Sequence, residues 1–451
     1  MGLPEILLTF SLILSVVVIL YSWKNPLYLI PLFILFLGGV FSQVDLGERL
    51  YVQVFEGVRL YLRDIIVVVI IIHVIRRFAS MQARHTLFKG PISFLLLYLV
   101  GNLCIKMFFF GAEFNTKITP FIRLFSTFAV YYLLVGYLRT ENFLPFMKSC
   151  YLLCIASVAI LLGYVLLLIP LPPALALSLI PTETVGSPSL RFGMPNHFFL
   201  FFPLFIALAP LLGYVGKMRM TERLVVVLMI IGSALALYRM YLFVVLFGSM
   251  AAFIGGRGGM IRKLALGSVV VVALFFAIQL ISEARESGIT ESFVMRFEGT
   301  GEELGQEGAS GGGRIVRTYA AFGLLMEPAV LFLGAAFTGQ FSEVIAFTTS
   351  DLGLVSTALY FGLPALLFYF LVYTRGISNS LSFLKRSDPL GQAAGGLLLF
   401  LIAILPGTVF MYNPLESEMF IALWAVMLGT FDGLYAAAQA GRVQHQPSLA
   451  S

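Results

Sequence analysis

The chain has 451 residues, of which 59% are hydrophobic and only 12% are charged, and its formal net charge is +6. These residues provide too little polar surface to cover a soluble globule of this size, so the composition favours a membrane protein. The basic excess lies in short links between apolar runs, where it suits anionic lipid headgroups, and it gives no indication of nucleic-acid binding.

The apolar runs predict an all-α fold, a polytopic membrane helix bundle of about 12–13 transmembrane helices. Backbone groups in hydrocarbon must bond within their own segment, and runs of about 20 residues favour helices over the shorter strands of a barrel. The predicted spans are 3–23, 27–42, 60–75, 91–110, 118–138, 149–169, 197–216, 222–238, 240–256, 264–282, 352–373, 392–411 and 417–436.

Lysine and arginine residues cluster in alternate links, which the positive-inside rule assigns to the cytoplasm. The C-terminus is then inside, and the opposite links face outward. Thirteen spans place the N-terminus outside and twelve place it inside, and both readings stay open. The predicted organisation is transmembrane helices in 1–282, a long periplasmic loop in 283–351, transmembrane helices in 352–436 and a cytoplasmic tail in 437–451.

The long loop has two parts of different composition. Residues 299–313 are rich in Gly and Glu and are predicted to be flexible. Residues 314–337 mix charged and apolar side chains at helical spacing and predict an amphipathic helix at the outer surface. A second outward loop, 171–196, is rich in proline and could form a lid or rim.

Four arginines, Arg191, Arg239, Arg314 and Arg317, place positive charge at the outer ends of predicted helices. A guanidinium keeps its charge and grips phosphate oxygens through paired hydrogen bonds, so such a cluster suits a pyrophosphate. The alternative for each residue is a side chain that reaches to the lipid headgroups. Arg239 is the most specific candidate, because the link that contains it is very short.

Several blocks resemble, in order and spacing, the O-antigen ligase and polymerase superfamily. They are SLRFGMPNHFFLFFPLFIALA, SALALYRMYLFVVL, GGGRIVRTYAAFGLLMEPAVLFLGAAF and SDLGLVSTALYFGLPALLFYF, and together they cover roughly 185–375. The resemblance implies a GT-C-like helical membrane glycosyltransferase in which arginines bind a lipid-linked pyrophosphate. Arg191 and Asn196 fall on an Arg-x-Gly-x-Pro-Asn block, and Arg239 falls on the arginine after the next pair of spans.

Within the loop, Arg314 matches the arginine that opens the loop helix, and Arg317 is a weaker extension of that match. Glu327 and Pro328, followed by Gly334, match the Pro...Gly ending of the same helix. Ligases of the superfamily usually carry a histidine near the end of the long loop, and 283–351 contains none. This departure favours a polymerase over a ligase.

Three residues are candidates for proton transfer or sugar binding. Asp351 precedes a span and could accept the proton of an attacking sugar hydroxyl, or it could cap the following helix, and the two roles are compatible. Glu327 is an alternative carboxylate. His197 could hydrogen-bond a sugar or could be satisfied by backbone groups.

Two further cations lie at or near the outer ends of spans. Lys106 and Arg123 could extend the cationic pocket, because intramembrane charges usually face a cavity or a partner. They could instead pair with Glu113, which lies between them in the sequence.

The residues and the resemblance together predict a metal-independent glycosyltransferase of the bacterial inner membrane with no cofactor, and the resemblance implies that it inverts the anomeric centre. It would polymerise undecaprenyl-pyrophosphate-linked repeat units into O-antigen or exopolysaccharide at the periplasmic face. The expected partners are the lipid-linked glycan donor and acceptor, membrane lipids and a chain-length regulator, with no nucleic acid. The alternatives are a ligase that transfers glycan to a lipid A core or a protein, and an exporter of polysaccharide or lipid-linked sugar.

Overall fold

A computed structural model of the protein describes eleven stretches of the chain. They are residues 3–37, 51–55, 58–82, 84–110, 127–165, 199–213, 217–235, 239–255, 321–334, 353–410 and 418–444.

Most of the described residues lie in helices. In chain order they are α1 (Leu3–Ser22), α2 (Leu29–Leu37), α3 (Leu62–Gln82), α4 (Lys89–Phe110), α5 (Ala129–Tyr137), α6 (Thr140–Val165), α7 (Phe201–Leu208), α8 (Met220–Leu235), α9 (Arg239–Gly255), α10 (Pro328–Leu333), α11 (Leu354–Phe361), α12 (Leu363–Phe383), α13 (Pro389–Phe410) and α14 (Glu418–Gln444). Short 3-10 helices occupy Pro26–Tyr28 and Ala209–Leu212.

One β-hairpin interrupts this pattern, within a described chain that is otherwise helical as the all-α prediction expects. Strand β1 (Tyr51–Phe55) pairs antiparallel with β2 (Val58–Tyr61), and the register joins Tyr51 to Tyr61. The strands are rich in aromatic and β-branched residues, which favour a pleated conformation. The rest of the described chain is helical or forms links, as predicted.

Three described helical segments are long and apolar enough to cross a membrane, by length and composition: Lys89–Phe109, Thr140–Gly163 and Met419–Ala440. Shorter apolar helices include Val244–Gly255 and Pro389–Leu405. The predicted total of about 12–13 spans stays a prediction. Span 264–282 and the beginning of span 118–138 lie outside the described residues.

Helices α13 and α14 form the centre of the bundle. α13 packs against α7, α9, α12 and α14, and α14 packs most extensively against α5. In the apolar window of α14, 94% of the residues are buried, compared with 39% for α4. Small residues permit the close approach, because a Cβ added at Gly429 or Gly433 would come within 3.0 Å of Leu134 or Leu138 side chains on the α5 side.

A buried carboxylate joins three helices at the end of the bundle where α4 begins. Asp432 of α14 is fully buried. Its Oδ1 accepts the Leu87 N–H at 2.9 Å, and its Oδ2 accepts the Phe88 N–H at 2.9 Å and the Tyr131 hydroxyl at 2.6 Å. Because Leu87 and Phe88 directly precede α4 and Tyr131 lies in α5, one side chain holds α4, α5 and α14 together.

At the same end, helices α8 and α13 are capped by side chains near their first residues. Glu222 accepts the Arg219 N–H at 2.7 Å through Oε2, and its Oε1 accepts the Gln392 amide at 3.0 Å. Asp388 precedes Pro389 and accepts the Gly391 N–H at 3.1 Å. These bonds satisfy amide groups that have no partner within their own helix.

Candidate functional site in the carboxyl-terminal half of helix α4

A polar stripe runs along one face of α4 toward its carboxyl-terminal end. Tyr98, Asn102 and Lys106 are spaced four residues apart, which places them on the same helix face. Asn102 is 2% exposed and Lys106 only 1% exposed, whereas Phe108 and Phe109 nearby are largely exposed. A lysine is rarely buried so completely, and within a membrane bundle such a residue is a candidate for function.

Tyr98 and Asn102 bind the carboxyl-terminal ends of two short helices. The Tyr98 hydroxyl donates to the Phe332 carbonyl at 2.7 Å and also lies against the Phe361 carbonyl. The Asn102 amide nitrogen donates to the Leu333 carbonyl at 2.7 Å and to the Tyr98 hydroxyl oxygen at 3.0 Å. These side chains therefore supply donors to helix-end carbonyls of α10 and α11, which lack them within the helices.

Two glycines make this junction sterically possible. Gly334 follows α10 with φ +67°, and Gly362 follows α11 with φ +80°, both in the left-handed region that side chains disfavour. A Cβ at Gly334 would lie 2.2 Å from the Tyr360 carbonyl oxygen, and one at Gly362 would lie 2.3 Å from the Phe332 carbonyl oxygen. The two helix ends thus cross at backbone contact distance.

The junction corrects the predicted span 352–373, which is divided at Gly362 into α11 and α12. Pro364 lies at the start of α12 and has no N–H to continue the hydrogen bonds of α11. Because irregular backbone at membrane depth needs partners for its polar groups, the break depends on the donors from α4.

The described part of the loop packs on α11 and consists of short helical pieces. Residues 321–325 are helical, and α10 follows after a break at 326–327. Ala321 and Val330 are buried against Leu359, whereas Met326 is 80% exposed. The segment is thus two-sided, with one side against the bundle.

Of the predicted site residues, Lys106 and Glu327 have described side chains, and Lys106 lies one helical turn beyond Asn102. Glu327 precedes α10 as its N-cap residue, is exposed and forms no side-chain cap bond. Arg239 is the first residue of α9, four residues after the end of α8, and its side chain is outside the described part. The others lie outside the described residues: Arg123, Arg191, Asn196, His197, Arg314, Arg317 and Asp351.

The described start of α11 leaves both roles of Asp351 open. The N-cap residue of α11 is Gly353, two residues after Asp351, and glycine has no side chain to cap the helix. Asp351 lies outside the described residues, so its capping role and its role as a base both stay predictions.

Sequence reasoning missed Tyr98 and Asn102. The available signal was the spacing of Tyr98, Asn102 and Lys106 at four-residue intervals within an otherwise apolar run. What the sequence could not indicate is the target of the donors, because those carbonyls lie more than 200 residues away along the chain.

The chain matches no protein-family model, and it matches no curated protein sequence. The resemblance to the O-antigen ligase and polymerase superfamily therefore rests on the sequence blocks alone.

Proposed function

We propose that this protein is an inverting glycosyltransferase of the bacterial inner membrane that polymerises polyprenyl-pyrophosphate-linked repeat units at the periplasmic face. The observation that carries the proposal is the junction between α4 and the end of the loop helix. Tyr98 and Asn102 bind the segment that ends at Gly334, and Lys106 is buried one helical turn beyond Asn102.

The junction matters because it involves a piece of the chain that the family resemblance singles out. Pro328 opens α10 and Gly334 ends it, which are the positions matched to the Pro...Gly ending of the family's loop helix. Arg314 and Arg317 lie 14 and 11 residues before Pro328 in the sequence. Anchoring the segment on a rigid helix is how a loop can hold arginines in one place for catalysis.

In the proposed reaction, a hydroxyl oxygen of the acceptor sugar attacks the anomeric carbon of the donor sugar. The bond from that carbon to the pyrophosphate oxygen breaks, so one glycosidic bond forms and one polyprenyl pyrophosphate leaves. Direct displacement inverts the anomeric centre. The hydroxyl proton passes to a carboxylate, for which Asp351 is the first candidate and Glu327 the second.

The cationic residues stabilise the charge that develops on the leaving group. Negative charge on the pyrophosphate increases as the glycosidic bond to it breaks, so fixed donors stabilise the transition state more than the bound donor. Arg191, Arg239 and Arg314 are the main candidates, and Arg317, Arg123 and Lys106 extend the same pocket. Asn196 and His197 are candidates for binding sugar hydroxyls.

The test is an elongation assay with the full chain in proteoliposomes and lipid-linked repeat units. Arg239→Ala, Arg314→Ala and Asp351→Asn should each lower the elongation rate, by about 10²–10³ for the loss of a transition-state donor. Arg223→Ala is the matched control, because Arg223 is exposed near the start of α8, at the end of the bundle where α4 begins. Full elongation by all three site variants would refute the site assignment.

The same assay separates the two alternatives. Adding a lipid A core acceptor tests the ligase, which would transfer one glycan to that acceptor without lengthening it. Movement of lipid-linked sugar across the membrane without new glycosidic bonds would establish the exporter instead. Either of these results would replace polymerisation as the function.

A further inference from the structure

Three arginines converge at the carboxyl-terminal end of α5, on the side that the positive-inside pattern assigns to the cytoplasm. Arg84 donates to the carbonyls of Val135 and Gly136, the latter at 3.1 Å. Arg139 donates to the same Gly136 carbonyl at 3.2 Å. The two donating nitrogens share one acceptor and therefore lie within roughly 6 Å of each other.

The third arginine approaches from α3. The Arg77 guanidinium lies over the Tyr137 ring, with its central carbon 5.3 Å from the ring centre. Helix α3 can come this close because of Gly136, where an added Cβ would lie 3.1 Å from the Met81 sulfur and 3.7 Å from the Arg77 Cβ. We call Arg77, Arg84 and Arg139 the arginine cluster.

The charge of the arginine cluster is poorly compensated among the described residues. None of the three forms a direct ion pair with an acid in the described part of the chain. The nearest acidic influence on Arg139 is Glu141. Burial, and then the neighbouring Arg139 and Arg77, lowers the pKa of Arg84 to about 10. The helix-end carbonyls offset only part of this repulsion.

Each guanidinium retains donors for a further ligand. A guanidinium has five N–H groups, and the Arg84 bonds to Val135 and Gly136 both use Nη1. The remaining groups can bind the oxygens of a phosphate in pairs. An anion that sits between the three cations would also remove their mutual repulsion.

An exposed tryptophan lies near this cluster. Trp23 is 58% exposed, and the Arg76 guanidinium lies 4.8 Å from the centre of its ring. The His73 ring contacts both Trp23 and Tyr137. Tryptophan and tyrosine are enriched at the level of the lipid headgroups, where anionic lipid phosphates are also found.

We propose that the arginine cluster is a binding site for the phosphate of an acidic phospholipid headgroup in the cytoplasmic leaflet. The site is separate from the carboxyl-terminal half of α4 and does not depend on the function proposed above. Bound lipid would hold α3 and the link between α3 and α4 against the link that follows α5, because Arg77, Arg84 and Arg139 lie in these three parts of the chain in that order.

The test uses Trp23 as an internal reporter. The full chain is reconstituted in phosphatidylcholine vesicles that contain phosphatidylglycerol with brominated acyl chains, and Trp23 fluorescence quenching is compared with that by brominated phosphatidylcholine. The chain has only two tryptophans, and Trp424 is 2% exposed, so Trp23→Phe supplies the background signal. Wild-type protein should be quenched more strongly by the acidic lipid at equal mole fraction.

Arg77→Gln should lower the preference for the acidic lipid by roughly fivefold, as expected for one arginine near an anionic surface. This variant keeps all the hydrogen bonds to the α5 carbonyls, so it should fold, and Arg84→Gln with Arg139→Gln should lower the preference further. Arg223→Gln removes the same charge elsewhere on this end and should change the preference less than twofold.

Two results would overturn the proposal. Equal quenching by the two lipids, or equal effects of Arg77→Gln and Arg223→Gln, would show that the surface attracts acidic lipid without a site. Loss of the preference on addition of inorganic phosphate would show that the cluster takes a free anion instead of a lipid headgroup.

Discussion

Two buried polar junctions in the described part of the bundle, one at Asp432 and one at Asn102, differ in how far their hydrogen-bonding groups are paired. Asp432 receives three donors, two backbone amides and the Tyr131 hydroxyl, and these link α14 to α4 and α5. Both oxygens of the Asp432 carboxylate therefore have a donor. Its function is to fix the helices relative to one another.

Asn102 differs because only half of its side chain is used. Its amide nitrogen donates to Leu333 and Tyr98, whereas its buried Oδ1 has no donor within the described part of the chain. Leaving such an acceptor unpaired costs about 1–3 kcal/mol. The Asn102 junction lies on the helix that also carries Lys106. The comparison indicates that the Asp432 junction stabilises the packing of three helices, whereas the Asn102 junction retains a buried acceptor with no partner among the described residues.

The largest expected effect on stability is at the Asp432 junction. Asp432→Ala removes the acceptor of three buried donors and should destabilise the protein by at least about 3 kcal/mol, measured as thermal unfolding in detergent. Thr430→Val is the control, because the Thr430 hydroxyl on the same helix is buried without a described partner. Equal losses in the two variants would mean that the Asp432 bonds do not hold the bundle together.

The next largest effect is expected at the glycine crossing beside the Asn102 junction. Gly334→Ala introduces a methyl group 2.2 Å from the Tyr360 carbonyl at positive φ, and should cost about 1–3 kcal/mol. Elongation should fall even in preparations that remain folded. Gly323→Ala is the matched control in the same segment, because an added Cβ there meets nothing within 4 Å. If both variants elongate glycan at the wild-type rate, the junction has no role in the reaction.

Tyr98→Phe tests the Tyr98 hydroxyl at the Asn102 junction separately from the packing of the ring. The variant removes the donor to the Phe332 carbonyl and should cost about 1–2 kcal/mol. Ser93→Ala is a comparison on the same helix, since the Ser93 hydroxyl contacts only the Tyr132 hydroxyl, at 3.2 Å, among the bonds described. Tyr98→Phe should lower elongation more than Ser93→Ala, and the reverse order would argue against a positioning role for Tyr98.

The smallest effect concerns the cap of α13. Burial alone would raise the pKa of Asp388, but hydrogen bonds from Arg386 and the Gly391 N–H lower it below its ordinary value. A lowered pKa in the folded state adds stability at neutral pH, and that stability is lost as pH falls through the lowered pKa. Asp388→Asn keeps a capping oxygen and removes only the charge, so it should cost about 0.2–1 kcal/mol.

The measurement for Asp388→Asn is the difference in unfolding temperature from wild type across the acidic range. The difference should be present at neutral pH and should shrink as the pH falls through the lowered pKa of Asp388, where the wild-type carboxyl becomes protonated. A difference that stays constant over this range would show that the Arg386 pair contributes nothing.

The sequence predicted the features that depend on local composition. Apolar runs such as 91–110 and 417–436 correspond to α4 and α14. A run of about 20 predominantly apolar residues has the length of a helix that crosses a bilayer, so its composition alone predicts a helix. The break at Gly362 was missed, since one glycine and a following proline do not reveal whether a neighbour will satisfy the exposed carbonyls. Here the neighbour is Tyr98, and that contact is a property of the packed bundle.

The most direct test of the central proposal is the stoichiometry of the reaction catalysed by the purified wild-type chain in proteoliposomes. With polyprenyl-pyrophosphate-linked repeat units as the only substrate, the account predicts one polyprenyl pyrophosphate released for each new glycosidic bond, and a product lengthened by whole repeat units. Glycan that crosses the membrane at its original length, with no pyrophosphate released, would contradict it.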